Sequence, residues 1–361
     1  MPRRGGRRKA RGMAPRPAWG ENVGVTDIEL EGALSRPAAP EVRAMASVPG
    51  DLLVLGVSGK MGPSLARLAL RASQAAGTAR RVIGVARFSS GQTRQALERD
   101  GLETIACDLL DRAAVAALPD CPNVIYMVGQ KFGTSGDQPL TWATNVHAAG
   151  IAAERFRASR IVAFSTGNVY PLSPVGSGGP RETDPTGPVG EYAQSALGRE
   201  RILEHWSRRA GTPMTILRLN YAIEPRYGVL RDIADKVRAG EPVDLGMGWV
   251  NVIWQRDANA VALRALEHCA SPPLVVNVTG TKAVSVRDIA ERFAEAFGVR
   301  ARYTETGGET ALLSNAERMR ELFGEPPVTL EEMIASVAEW VRAGGASLGK
   351  PTHFEEREGR F

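Results

Sequence analysis

Cysteine and histidine are scarce in this chain, at three and four residues out of 361. Cys107, Cys121 and Cys269 are scattered and odd in number. Neither a disulfide framework nor a CxxC metal knuckle can be read from them, and their pattern fits a reducing cytoplasm. The histidines form no HExxH or similar arrangement, so no metal site is expected. No apolar run approaches the roughly 20 residues that a membrane-spanning helix needs. Basic charge is also missing from the body of the chain. The first twenty residues hold seven Lys/Arg and no acid, so the net charge of +5 becomes −2 over the remainder. That balance speaks against a basic nucleic-acid-binding domain. The tail lacks the apolar stretch of a secretory signal, and its composition favours a disordered extension over a nucleic-acid contact.

What is present is an alternation. After the tail, residues 21–49 read as a helical appendage, with Thr26 and Glu29 as a capping box and Pro40 in the first turn of a second helix. From residue 51, short β-branched runs such as "DLLVLG", "RRVIGVA", "NVIYMVG", "RIVAFS" and "MTILRL" are separated by stretches of helical periodicity. This predicts an α/β fold, a doubly wound parallel sheet covered on both faces. The first domain is expected over 50–222. A smaller α/β region over 223–345 is interleaved with its end, and 346–361 forms a tail.

The first strand runs into "GVSGKMG", placing Gly56, Gly59 and Gly62 as GxxGxxG ahead of an amphipathic helix. Glycines permit a tight turn and a close approach of the backbone to a pyrophosphate, which the helix N-terminus then attracts. A dinucleotide is therefore expected on a Rossmann-type sheet, held by Gly56, Ser58, Gly59, Lys60, Met61 and Gly62. Arg87 ends the second strand where an NAD site commonly carries an acid. An arginine there can pair with a 2′-phosphate, helped by Ser89, Ser90 and Lys60, so NADP is favoured over NAD. Asp108 follows the third strand and reads either as an adenine contact or as a helix N-cap.

Taken together, residues 51–345 resemble the extended short-chain dehydrogenase/reductase family, the NAD-dependent epimerase/dehydratase group. "VIYMVGQKFG" is similar to the family's fourth strand and following loop, which implies cofactor contacts by Val128, Gly129 and Lys131. "WATNVHAAG" places Asn145 at the asparagine supporting the proton relay. "FSTGNVYP" and "EYAQSALGRE" resemble the Ser/Thr and Tyr-x-x-x-Lys signatures, implying Thr166 and Tyr192 as catalytic groups. The resemblance further implies hydride transfer at a sugar, sugar acid or nucleotide sugar, and a homodimer built on helices starting near Trp142 and Tyr192. Asn220 and Arg226 are the expected substrate contacts.

Two positions depart from the pattern. Ala196 stands where the family's lysine binds the nicotinamide ribose and lowers the tyrosine pKa from about 10. Arg199 lies about 10 Å beyond Tyr192 along the helix axis, which argues against direct contact. Lys131, Lys350 and His353 are the other candidate replacements. In "GWVNVIWQRD", valine and asparagine replace the arginine expected for a nucleotide diphosphate, while Asp257 is expected as a helix cap. That lowers the expectation of a nucleotide diphosphate in favour of a free sugar, sugar acid or similar polyol. The sequence leaves open an enzyme of altered chemistry or a catalytically idle dinucleotide-binding protein.

Overall fold

The computed structural model describes residues 26–131, 133–134, 136–304, 307–350 and 352–360. The basic tail lies outside the described residues. Helices α1 (Asp27–Leu34) and α2 (Ala39–Ser47) open the described chain as expected. The Thr26 hydroxyl caps α1 by accepting from Glu29 N, and Pro40 sits in the first turn of α2. Leu30 and Leu34 enter the C-terminal core, whereas Ala44 and Met45 enter the core beside the sheet.

The sheet consists of seven parallel strands: β1 (Leu52–Leu55), β2 (Val82–Ala86), β3 (Glu103–Ala106), β4 (Asn123–Tyr126), β5 (Arg160–Thr166), β6 (Met214–Leu219) and β7 (Leu274–Val278). Their spatial order is 3-2-1-4-5-6-7. β1 and β4 are adjacent but not consecutive, so the winding reverses between them and opens a crevice at their carboxyl ends. All four residues of β1 are buried because helices cover both faces. Complete burial of each leucine side chain contributes roughly 1.5–3 kcal/mol. The edge strand β3 is instead partly exposed and charged, which discourages further strand pairing.

Helix α3 (Gly62–Ala75) follows the glycine turn, and α8 (Gly190–Ala210) follows β5 after a long connection. Between β4 and β5, α6 (Gln138–Trp142) and α7 (Ala148–Arg155) are joined by a π-helical turn at Ala143–His147. A second apolar core gathers α9 (Val229–Ala239), α11 (Val286–Phe297) and α13 (Leu330–Arg342). Gly240 ends α9 at φ +71°, where a side chain would be strained. β7 returns to the main sheet beside β6, so the C-terminal region is interleaved with it as the sequence indicates.

Candidate active site

The glycine turn is tight for identifiable reasons. Gly56 has φ +88°, and a Cβ there would come within 2.8 Å of Val128 Cγ2. At Gly62 it would meet Val57 O at 2.3 Å, so that glycine lets α3 pack onto the strand's exit. Gly59 is different, with only Gly56 O near its Cβ position, at 3.3 Å. The N-terminus of α3 has no side-chain cap. The crevice thus presents backbone amides and a partial positive charge at its waist.

Two lobes meet at Gly56, Gly59, Met127, Val128 and Gly129. The first, about 470 Å³, is lined by Ser58, Arg87 and Asp108 among others. Arg87 is exposed at the end of β2, and Asp108 accepts from Leu110 N in a local turn. Ser89 is exposed and outside this lining.

The second lobe, about 300 Å³, brings together Lys60, Met61, Gly62, Lys131, Thr166, Tyr192 and Asn220. Thr166 ends β5 and holds its hydroxyl against Asn168, accepting from the backbone N at 3.2 Å and donating to Oδ1 at 3.0 Å. Tyr192 lies in the first turn of α8. Asn145 stands behind the crevice on the π-helical turn. Its Oδ1 accepts from Gln130 N at 2.7 Å, while Nδ2 donates to Gln130 O and to Ser195 Oγ. Ser195 in turn donates to Tyr192 O at 2.9 Å. One buried amide therefore ties the loop after β4 to the tyrosine-bearing helix.

Below the site, Arg218 on β6 forms a buried pair with Glu200 on α8, and its Nη1 donates to Tyr170 Oη at 2.6 Å. Ser165 Oγ also donates to Glu200, at 2.6 Å. Burial opposes the Arg218 charge, but the hydrogen bonds and charge of Glu200 outweigh it and hold the guanidinium more firmly protonated than usual.

Several sequence expectations change. Lys60 reaches away from Arg87 into the second lobe, where its Nζ donates to Ala222 O at 3.2 Å and lies 3.2 Å from the Tyr227 ring centroid. Burial pushes its pKa down to about 7, against the opposing pull of Glu224. Lys131 donates to Thr352 O at 3.0 Å, and burial pushes it down to about 8. Arg226 does not line the crevice. Its guanidinium is occupied by Glu224, Glu31 and Asp27, pinning the N-terminal appendage to the C-terminal region. Asp257 is not a helix cap. It lies inside α10 (Gln255–Arg264), pairs with Arg256 and accepts from Val328 N.

Two features refine the sequence reading. The C-terminal segment crosses the site, with Thr352 in the lining and Gly359 packed against Val189 and Gly190 at the start of α8. It is Thr352, rather than exposed Lys350 or His353, that enters the lining. Arg199 also lines the second lobe with Tyr192, whereas the axial distance speaks only against direct contact between the two. Helical side chains lean toward the N-terminus, and an arginine is long enough to recover part of the separation.

A crevice with two lobes, a helix N-terminus at its waist and a buried arginine whose Nε has no partner suits a dinucleotide cofactor. Fold and site define a dinucleotide-binding α/β protein. More narrowly, the chain belongs to the NAD dependent epimerase/dehydratase family, whose model matches residues 52–279. This family membership makes it an NAD(P)-dependent enzyme of the oxidoreductase/epimerase type. No curated protein sequence matches the chain. Solved structures share the fold. UDP-glucose 4-epimerase from Thermotoga maritima, with UDP-glucose, is 20% identical with a TM-score of 0.68. UDP-glucuronic acid 4-epimerase from Bacillus cereus, in complex with UDP-glucuronic acid and NAD, is 19% identical with a TM-score of 0.69. The match covers 81% of this chain and 99% of the neighbouring chain in both cases.

Proposed function

We propose that the chain catalyses oxidation or reduction at a carbohydrate hydroxyl carbon, as an epimerase, dehydrogenase or dehydratase, with Tyr192 and Thr166 handling the proton. The observation carrying this reading is the convergence of Thr166 from β5 and Tyr192 from α8 on the lobe that continues from the glycine turn. The nicotinamide cofactor supplies a hydride acceptor or donor when bound. Tyr192 takes or returns the hydroxyl proton, and Thr166 orients the same substrate oxygen. Asn145 and Ser195 keep α8 in register with the loop after β4.

NADP is the favoured form, because Arg87 is exposed at the end of β2 and an arginine there can pair with a 2′-phosphate. The substrate reading centres on a free sugar, sugar acid or similar polyol. Asn251, in the run where the family pattern expects a diphosphate-binding arginine, is buried and occupied by Asn220, Gly280 O and Ser314 O. A homodimer fits the groove containing Trp142, Val146, Ile202 and Trp206, beside exposed Leu140.

Sugars, sugar acids and nucleotide sugars should be offered with both cofactors, with product analysis alongside nicotinamide absorbance. Tyr192→Phe is expected to remove most turnover while dinucleotide affinity stays near wild type, since only the hydroxyl is lost. Unchanged turnover in that variant refutes the catalytic assignment. Dinucleotide binding with conversion of none of these substrates refutes the carbohydrate reading.

A further inference from the structure

Helix α8 carries a buried cation without an acid to answer it. Arg199 is 4% exposed, its Nη1 donates to Val128 O at 2.7 Å, and its Nε has no partner. Among the described residues, no carboxylate comes within ion-pair distance of it. The buried Arg218 and Arg231 each hold a carboxylate. Buried Arg80 also leaves its Nε without a partner, but it lines neither lobe and its Nη2 donates to the carbonyls of Met45 and Val48. A guanidinium with a buried N–H left unanswered, as Nε is here, is costly unless a ligand completes it.

Its surroundings leave room for such a ligand. Gly129 has no side chain, and a Cβ there would come within 2.8 Å of Arg199 Nη1. Ala196, one turn earlier, is fully buried with Val169 and Tyr170 and supplies no charge. Arg199 begins about 4.5 Å further along the axis, and its side chain leans back over that turn. It lines the lobe containing Thr166 and Tyr192, but not the lobe containing Arg87 and Asp108. The group it faces therefore lies between the pyrophosphate at the glycine turn and the reacting ring. In a dinucleotide that group is the second ribose.

We propose that Arg199 binds the nicotinamide-side ribose, supplying from one turn further along α8 the cation absent at Ala196. This rests on the dinucleotide reading above. Guanidinium N–H groups donate to the ribose hydroxyl oxygens, and no bond is made or broken. Lys60 and Lys131 also face this lobe, but their Nζ atoms donate to Ala222 O and Thr352 O, toward the C-terminal region.

A ligand series separates this role from general damage. Calorimetry would compare ADP, which stops at the pyrophosphate, with ADP-ribose, which adds the ribose. The 2′-phosphorylated pair would be used where NADP is the tighter cofactor. Arg199→Met should weaken ADP-ribose by roughly ten- to a hundredfold and leave ADP unchanged, as expected for a lost hydrogen bond to a charged group. Arg199→Lys should fall between the two, and Ala196→Lys added to Arg199→Met should recover much of the ADP-ribose affinity. Unchanged ADP-ribose binding in Arg199→Met overturns the assignment. So do equal losses for ADP and ADP-ribose that Ala196→Lys does not restore. Wild-type protein that binds neither ligand would overturn the underlying dinucleotide reading, before any variant is made.

Discussion

Replacing Arg218 by methionine tests whether the floor beneath the site is held by charge. In the native protein, Glu200 is 3% exposed and receives Arg218 Nε and Nη2 at 3.0 and 2.7 Å, with Ser165 Oγ as a further donor. Methionine fills similar volume but leaves the carboxylate buried with one hydroxyl. Breaking such a pair from one side costs about 3–5 kcal/mol. The urea midpoint should then fall by somewhat more than ~1 M, taking an m-value near ~3 kcal/mol/M. Removing both charges, as Glu200→Gln with Arg218→Met, should restore a large part of that loss, because no uncompensated ion remains. Equilibrium unfolding followed by intrinsic fluorescence measures all three proteins. A drop below about 1 kcal/mol for the single variant, the range of exposed pairs, would refute the reasoning. So would a double variant no more stable than the single one.

Gly59→Val should lower dinucleotide affinity at least about tenfold with little change in melting temperature, since its branches point into the cradle. Gly62→Ala should instead cost roughly 1–3 kcal/mol of stability through its clash with Val57 O. Calorimetry and thermal melts distinguish the two, and interchanged effects would contradict the geometry. Arg87→Asp should shift preference from NADP toward NAD by lost attraction and new repulsion. Equal affinities for both cofactors in both proteins would leave Arg87 without a role in selection. Burial pushes the Asp257 carboxyl up to about 6, against the pull of Arg256. Its protonated form is thus favoured by folding. Its stabilising contribution is full below about pH 4 and is lost as pH rises through about 6. Asp257→Asn should therefore gain on wild type by up to about 3 kcal/mol between those limits. Urea titrations showing a pH-independent difference would exclude this.

The parallel strands could be read from the sequence because burial on both faces leaves unbroken apolar runs such as Leu52–Leu55. The glycine turn was legible because Gly56 and Gly62 each have a steric cause. Thr166 and Tyr192 became legible jointly, through their order along the chain. Side-chain reach was not. Counting rise along α8 separates Arg199 from Tyr192, yet that count measures backbone rather than guanidinium positions. The charge at Arg226 was visible and its occupation by Glu31, almost two hundred residues away, was not. The crossing of Thr352 and Gly359 left no periodic trace, because a non-helical, non-strand segment docks by individual contacts.

Helix α8 presents Tyr192, Ser195, Arg199 and Glu200 from one continuous stretch. Each serves a different neighbour: the crevice, Asn145, Val128 and Arg218. The helix therefore acts as a ruler whose markings cannot be shifted independently. A residue added or lost between Tyr192 and Arg199 would rotate everything after it by about 100° relative to everything before. Length changes upstream of the helix could be absorbed by the connection from β5. Insertions and deletions should accordingly be admitted before Gly190 and excluded within the next ten residues, even where every individual side chain there tolerates replacement.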